Sequence, residues 1–101
     1  MIARTWRAQA TRANAEAYRR HFETTVVPHL TQIPGHQGAW LLQRDVDGQV
    51  EFMAVTLWDS IKTVQQFAGA DPDVANVEQV ARDVLTEFDR FVTHYEVACR
   101  S

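Results

Sequence analysis

The sequence predicts a single α+β domain whose elements follow the order β-α-β-β-α-β. Two strand-like runs meet at Asp47-Gly48, which is a strong hairpin signal. Segments with helical periodicity lie on either side of this pair, and alternating segments lie near both ends of the chain. The 101 residues suffice for one hydrophobic core, and no linker, repeat or low-complexity tract divides residues 1–101.

The first strand is predicted over residues 2–9, because apolar and polar positions alternate there. One side of this strand carries Ile2, Arg4, Trp6 and Ala8. A helix should follow from Asn14, the predicted N-cap. Its helical stripe consists of Ala17, Tyr18, His21, Phe22, Thr25 and Val26. Pro28 should break or kink this helix, since its ring removes a backbone donor.

The hairpin strands are predicted over residues 36–46 and 49–58, and the second of them is apolar on both faces. One face carries Val50, Phe52, Ala54 and Trp58, and the other carries Met53, Val55 and Leu57. A sheet with one face in water normally alternates apolar and polar residues. The second face is therefore expected to be covered by another copy of the chain, as a two-fold homodimer.

The remaining elements are two helices and a strand. Ser60 should cap a short helix over residues 61–67, which ends before Gly69. Asp71 and the proline after it should open another helix. Its apolar stripe consists of Val74, Val77, Val80, Ala81, Val84, Leu85 and Phe88. Residues 90–97 alternate again and predict the last strand, which completes a ferredoxin-like α+β sandwich.

Composition excludes several classes of protein. A net charge of -3 and a pI near 5.7 argue against a nucleic-acid-binding protein. The chain contains no run of about 18 apolar residues that would cross a membrane, and its first ten residues lack the apolar core of a signal peptide. Cys99 is the only cysteine, so no disulfide framework or cysteine-based metal cage is expected. A cytoplasmic protein without membrane contact is the resulting expectation.

Four segments resemble the antibiotic biosynthesis monooxygenase superfamily: MIARTWR, PGHQGAWLLQRD, EFMAVTLWDS and HYEV. The resemblance extends from Met1 to Val97 and implies a dimeric α+β barrel. It also implies that Trp58 borders a cavity between sheet and helices, in which an aromatic substrate or haem binds. Judged by residue type alone, Trp58 also suits a core position beneath the helix that follows it.

The sequence departs from two branches of that superfamily. Polyketide-modifying members are expected to hold their substrate with an Asn, but residues 50–58 contain none. Haem-degrading members resemble one another in an Asn on the first strand and a helical His that binds iron. This chain has Arg4 and Trp6 on the first strand and no His between Val74 and Phe88. The expectation is therefore an activity that uses no haem, metal or other cofactor.

Arg4 is the main candidate for binding an anion. A buried guanidinium needs either a carboxylate partner or an anionic ligand. Glu51 and Glu96 are the carboxylates that could pair with it in a purely structural role, and an Arg that reaches solvent is a further alternative. In the functional hypothesis, Arg4 binds a phenolate or carboxylate while Trp6 stacks on the ligand.

A general base could come from His94 or His21, because an imidazole titrates near neutral pH. Tyr18 and Phe22 lie beside His21 on the helical stripe, and they are candidate ligand contacts together with Trp6 and Trp58. An exposed or hydrogen-bonded structural role is the alternative for His94. The four histidines of the chain show no metal-binding spacing, so no metal site is expected.

The resemblance implies a cofactor-independent monooxygenase that oxidises a small aromatic substrate, such as a phenol, a hydroquinone or a polyketide-like compound, with O₂. Two alternatives from other classes stay open. One is a dimer that binds or senses a small aromatic compound without turnover. The other is a polyketide cyclase or isomerase of the same fold, which would leave the mass of its substrate unchanged.

Overall fold

The computed structural model describes residues 1–101 as an antiparallel five-stranded sheet with helices packed on one face. The strands are β1 (Ile2–Thr11), β2 (His36–Val46), β3 (Gln49–Trp58), β4 (Glu87–Phe88) and β5 (Thr93–Glu96). The helices are α1 (Arg12–His21), a π-helical turn (Phe22–Val26), α2 (Val27–Thr31), α3 (Ile61–Ala68) and α4 (Gln79–Val84). The strand order is β2-β3-β1-β4, and β5 also pairs with β1. The predicted α+β, ferredoxin-like fold class is confirmed.

β1 lies at the centre of the sheet and pairs antiparallel with β3 along its whole length. The register sets Arg4 opposite Thr56 and Trp6 opposite Ala54. Because paired residues point to the same face, these side chains share the face that packs against the helices. The alternation predicted for the first strand is therefore confirmed, with Arg4 and Trp6 both directed toward the helical layer.

The hairpin closes at Asp47-Gly48, as the sequence predicts. Asp47 has φ 50° and Gly48 has φ 80°, the two positive values that a type I′ turn requires. Val46 and Gln49 then pair directly on either side of the turn. This register fixes which residues of β3 face the helices and which face outward.

The long helical segment begins earlier than predicted and passes Pro28 without breaking. Thr11 is the N-cap of α1, since its Oγ1 accepts a hydrogen bond from the backbone N–H of Asn14 at 3.2 Å. The prediction that Asn14 is the cap is wrong. Ahead of Pro28 the helix widens into the π-helical turn and then continues as α2, so the missing donor of proline is accommodated by a wider turn.

The segment after α3 differs most from the prediction. α3 itself is confirmed, with Ser60 Oγ accepting from the N–H of Thr63 and Gly69 at φ 91° after its last turn. The predicted helix from Asp71 is wrong over residues 70–78, because α4 begins only at Gln79. In that stretch Val74 forms an isolated β-bridge with Phe91, which lies between β4 and β5, so its backbone makes a long-range pairing and is not helical.

The predicted last strand is confirmed in part. β5 spans Thr93–Glu96, within the predicted residues 90–97. Phe88, predicted to lie on the helical stripe, belongs instead to the short strand β4, where it pairs with Ala8. The chain therefore pairs with the free edge of β1 through two short strands, β4 and β5. The irregular residues 70–78 lie beside these strands.

The core consists of two clusters on the helical side of the sheet. The larger cluster contains Ala10, Ala15, Tyr18, Val50, Phe52 and Ala81. The smaller one contains Leu30, Trp58 and Val64. Burial of these side chains is the main stabilising contribution, at about 25 cal/mol per Å² of apolar surface removed from water.

The outer face of the sheet carries exposed apolar side chains. Trp40 is 48% exposed, Leu42 52% and Tyr95 59%. Met53 and Val55, also on this face, are half-buried. The predicted apolar character of both faces of the hairpin is confirmed, while the homodimer that it suggests stays a prediction. None of the helices is long and apolar enough to cross a membrane.

Candidate functional site

A cavity of about 110 Å³ lies between the helical face of the sheet and the surrounding helices. β1 and β3 form its floor, the segment from α1 to α2 forms one wall, and α3 with residues 75–81 forms the other. Most of its wall is apolar, with contributions from Trp6, Tyr18, Phe22, Leu30, Phe67 and Val92. A closed apolar cavity of about 150 Å³ can hold benzene, so a single aromatic ring is the scale of ligand that this space suits.

Arg4 supplies a positive charge to the floor of this cavity. Its side chain reaches the cavity from β1, and the residue is only 6% exposed. Its Nη1 donates to the carbonyl oxygen of Pro72, and its Nη2 donates to that of Val74 at 3.4 Å. The guanidinium also lies 5.8 Å from the centre of the Phe67 ring, within the range of a cation–π interaction.

No carboxylate forms an ion pair with Arg4. The predicted structural partner Glu51 lies on the outer face, where it pairs with Arg7 at 2.7 Å and with Arg44 at 2.8 Å. Glu96 is exposed and pairs in register with Ile2. Burial lowers the pKa of Arg4, and the charge of Asp73 opposes that shift. A guanidinium nevertheless stays protonated in proteins, so the cavity contains a cation without a direct counter-ion.

His94 lies behind Arg4 and does not line the cavity. Its Nε2 is 3.2 Å from Arg4 Nη1, and its Nδ1 is 3.2 Å from Asp73 Oδ1. Because Arg4 can only donate, the hydrogen bonds assign the proton to Nδ1, which donates to Asp73. Burial lowers the pKa of His94 and the charge of Arg4 lowers it further, while Asp73 opposes both effects. His94 therefore contacts Arg4 from outside the lining of the cavity, and its role as a base stays a prediction.

The other predicted base, His21, does line the cavity, together with Tyr18 and Phe22. The rings of Tyr18 and His21 lie 6.3 Å apart. Tyr18 is 3% exposed and its hydroxyl has no hydrogen-bond partner in the protein. Burial raises the pKa of Tyr18 well above its usual value, so this hydroxyl remains a donor at neutral pH. The predicted group of Tyr18, His21 and Phe22 thus forms one wall.

Trp6 lines the cavity as predicted, and its ring is fixed by a hydrogen bond. Its Nε1 donates to the carbonyl oxygen of Asp89 at 2.7 Å. The Trp6 ring lies 6.4 Å from that of Tyr18 and 6.1 Å from that of Phe88. These contacts hold a flat indole beside Arg4 on the same strand.

Trp58 lies outside the cavity wall, which corrects the position that the resemblance implies. Its side chain is fully buried (0% exposed) and packs against Phe67 at 5.6 Å and His36 at 5.2 Å between ring centres. The structure therefore shows Trp58 in a core position, which was the alternative given from its residue type. The indole still influences the site, because its Nε1 donates to Thr56 Oγ1 at 2.8 Å, and Thr56 lines the cavity.

Several polar side chains of the cavity were not identified from the sequence. They are Thr56, His29, Asn76 and Glu78. Thr56 could have been found, since it is the polar residue among apolar neighbours on the inward face of β3, opposite Arg4. The positions of Asn76 and Glu78 in the cavity could not be predicted, because their segment was predicted to be a helix. No group of three or more His, Cys, Asp or Glu side chains could hold a metal ion.

The sequence matches no protein-family model and no curated protein. Solved structures do match it. A Bacillus cereus protein classed as an antibiotic biosynthesis monooxygenase superposes with a TM-score of 0.71 at 14% identity, over 100% of this chain and 94% of that one. The heme-degrader MhuD from Mycobacterium tuberculosis, with two hemes bound in its active site, gives a TM-score of 0.63 at 22% identity, over 100% and 99%.

A further match is Rv0793 from Mycobacterium tuberculosis, with a TM-score of 0.64 at 13% identity over 99% of this chain and 97% of that one. At these identities the likeness concerns the fold. The chain therefore has the α+β fold of antibiotic biosynthesis monooxygenases along its full length, and the resemblance described from the sequence is confirmed at that level. Activity has to be argued from the site itself.

Haem does not fit the cavity. A porphyrin is far larger than the single ring that a space of about 110 Å³ accommodates. α3 contributes Phe67 to the wall, and the wall residues with an atom that could bind iron are His21 and His29, so it is the size of the space that argues against haem. Arg4 closes the floor of the cavity from β1. The residues present therefore suit a small organic ligand.

Proposed function

We propose that the protein is a cofactor-independent monooxygenase that oxidises a small anionic aromatic substrate with O₂ in this cavity. The observation that carries the proposal is the buried guanidinium of Arg4, which faces an aromatic-lined space and has no carboxylate partner. A buried cation is costly unless an anion compensates it. An anionic ligand would supply that compensation.

The shape and lining of the cavity support an aromatic substrate. Trp6, Tyr18, Phe22 and Phe67 surround it with ring faces and edges. Aromatic rings stack favourably in offset or tilted arrangements. A single ring in this space would exclude water from its neighbours, which strengthens its electrostatic attraction to Arg4.

The proposed reaction draws its electrons from the substrate. His21 at the wall takes the proton of a phenolic hydroxyl, and the phenolate transfers one electron to O₂. The radical pair combines to form a carbon–oxygen bond, and return of the proton from His21 to the peroxide oxygen gives a hydroperoxide. Loss of water breaks the O–O bond and the C–H bond at that carbon, so one oxygen atom enters a quinone product and the other leaves as H₂O. The protein contributes desolvation, orientation and proton transfer.

Oxygen consumption tests this proposal. We expect the purified protein to consume dissolved O₂ with at least one single-ring phenol, and Arg4→Gln to reduce the rate at least about tenfold by removing a charge-assisted contact. Arg20→Gln is the matched control, because Arg20 is an exposed arginine on α1. Ligand binding without O₂ uptake would favour the binding or sensing alternative, and a product of unchanged mass would favour a cyclase or isomerase.

A homodimer is also part of the proposal. The exposed Trp40, Leu42 and Tyr95 lie on the outer face of the sheet, together with the half-buried Met53 and Val55. Large contiguous apolar surfaces on soluble proteins usually mark interaction sites. Two copies packed outer face to outer face would bury these side chains around a two-fold axis.

A further inference from the structure

Hydrogen bonding leaves one edge of the Arg4 guanidinium without a protein partner. Both protons of Nη1 are directed at acceptors, the carbonyl oxygen of Pro72 and Nε2 of His94. One proton of Nη2 is directed at the carbonyl oxygen of Val74. Nε donates to no protein group, and Nη2 makes only the long bond to Val74 at 3.4 Å. The Nε–Nη2 edge of a guanidinium can present two parallel N–H bonds, so this edge has donor capacity left for a ligand in the cavity that Arg4 lines.

A parallel pair of N–H donors matches a planar anion with two oxygen atoms. Carboxylates accept such pairs in the bidentate arrangement that distinguishes arginine from lysine. A phenolate has one oxygen atom and would leave one of the two donors unused. A phosphate ester would bring a second negative charge to a cavity that holds one arginine and is also lined by Glu78.

Thr56 adds a third donor beside Arg4. The two residues are directly paired across β1 and β3. Thr56 Oγ1 already accepts a hydrogen bond from Trp58 Nε1 at 2.8 Å. The fully buried indole therefore holds this oxygen in place and leaves its proton free to donate into the cavity.

A polar group also lies on the wall formed by the helices. The Tyr18 hydroxyl belongs to a residue that is 3% exposed, and it has no partner in the protein although it borders the cavity. The hydroxyl oxygen is not among the buried atoms that lack a partner, so it is accessible from the cavity. A ligand hydroxyl could accept from it, in the same region as His21.

We propose that the substrate is a single-ring hydroxyaromatic carboxylate, such as a hydroxybenzoate. Its carboxylate binds side-on to the Nε–Nη2 edge of Arg4 and accepts from Thr56, while its hydroxyl meets Tyr18 and His21. This inference rests on the proposed function for the reaction, but the binding it describes requires no turnover. The apolar remainder of the ring lies against Trp6 and Phe67.

Calorimetric titration of the wild-type protein with matched compounds tests the carboxylate. 4-Hydroxybenzoate should bind at least about tenfold more tightly than 4-hydroxybenzamide, which has the same shape without the charge, and than phenol. Phenyl phosphate should bind more weakly than the carboxylate. Equal affinity for the acid and the amide, or no binding of the acid at millimolar concentration, would overturn the inference.

Variants then locate the contact. Arg4→Lys keeps the charge but not the paired donors, so it should weaken the binding of 4-hydroxybenzoate at least about tenfold and weaken the binding of phenol by a smaller factor. Thr56→Val should weaken the binding of 4-hydroxybenzoate by a smaller factor. Thr56→Ser should bind it as tightly as the wild type, since Ser keeps the hydroxyl. Arg20→Gln should change neither affinity. Undiminished binding of the acid by folded Arg4→Lys contradicts the side-on arrangement.

Two outcomes separate this inference from the proposed reaction. If 4-hydroxybenzoate binds with the expected preference and no O₂ is consumed, the ligand class stands and the monooxygenase proposal fails. If phenols without a carboxylate are oxidised as fast as hydroxybenzoates and bind as tightly, the reaction stands and the ligand class fails. Thermal unfolding of each variant shows whether a loss of binding reflects a loss of folded protein.

Discussion

Arg4 places a charged side chain on the inner face of the sheet, where it lines the cavity. The strand pattern alone places it inward, at a position where an apolar side chain would avoid the free-energy cost of burying a charge. The fold then surrounds it with two carbonyl oxygens and a neutral imidazole, none of which cancels its charge. The sequence predicted its direction correctly. Its partners could not be predicted, because they come from a segment whose conformation the sequence did not reveal.

The position of Trp58 gives a first prediction at this scale. Truncation by Trp58→Ala should lower the free energy of unfolding by about 3–5 kcal/mol, because a fully buried aromatic side chain leaves a void that the core fills only in part. Urea unfolding measures this change. Val80→Ala is the control, since Val80 is an exposed apolar side chain on α4, and its truncation should lower the free energy of unfolding far less. A loss below about 1 kcal/mol for Trp58→Ala would contradict its core position.

His94 gives a second prediction, on pH dependence. Its pKa in the folded protein is lowered from 6.5, so the unfolded chain binds the proton more readily. The stabilisation is therefore fully present above pH 6.5 and is lost as the pH falls from 6.5 toward the folded pKa. His94→Gln should reduce the fall of the melting temperature in this range, because Gln can accept from Arg4 and donate to Asp73 without titrating.

The control for His94 has to account for a second histidine. Burial also lowers the pKa of His36, with a hydrogen bond to Gly38 opposing it, so His36 contributes pH dependence of the same sign. His29→Gln is the control for the substitution itself, because it makes the same change at an exposed histidine. If the melting temperature of His94→Gln falls as steeply as that of the wild type, His94 is not held neutral by Arg4.

At the scale of elements, the hairpin turn was the easiest feature to predict. Asp-Gly at a two-residue connection implies positive φ at both positions, and both are observed. Gly48→Val should therefore destabilise the protein by about 1–2 kcal/mol through backbone strain alone, because no atom lies close to the added Cβ position. Chemical denaturation measures this. Gly48→Asn is the milder comparison, and a Gly48→Val protein as stable as the wild type would mean that the turn relaxes to another conformation.

The segment between α3 and α4 was the hardest element to predict. Its apolar residues recur at helical spacing, yet residues 70–78 do not form a helix. The long-range bonds made by its backbone explain this, since the carbonyl oxygens of Pro72 and Val74 accept from Arg4, and Asp73 accepts from the N–H of Val92. Local periodicity carries no information about such partners. For the same reason, the sequence missed Asn76 and Glu78 in the cavity.

At the scale of the whole molecule, the outer face of the sheet predicts self-association. We expect light scattering at micromolar concentration to report twice 11.5 kDa. An obligate pair of this kind usually buries about 2,000 Å² or more. Leu42→Glu should shift the population toward monomers, because it places a charge on the apolar outer face of the sheet.

A matched control for the dimer is Val80→Glu, which introduces the same charge at an exposed position on α4, on the opposite side of the molecule. It should leave the mass of the particle unchanged. A wild-type protein that stays monomeric at high micromolar concentration would remove the proposed role of Trp40, Leu42 and Tyr95 in association.

The sequence thus predicted the order of elements, the inward side of β1 and most of one cavity wall, since each follows from local periodicity. Arg4, Trp6, Tyr18, His21 and Phe22 all line the cavity. Trp58 and His94 were expected at the cavity but lie outside its lining, because a strand pattern gives the face of a side chain and not its depth. Their contacts with Thr56 and Arg4 depend on the assembled fold.

The most direct test of the account is the mass of the product formed under ¹⁸O₂. The protein should be incubated with a single-ring phenol that it binds, and the product analysed by mass spectrometry. The account predicts a quinone that carries one ¹⁸O atom from O₂, with the second atom recovered in water, and a signal that Arg4→Gln largely abolishes. A product without label, or a bound substrate that remains unchanged, would contradict oxygenation in this cavity.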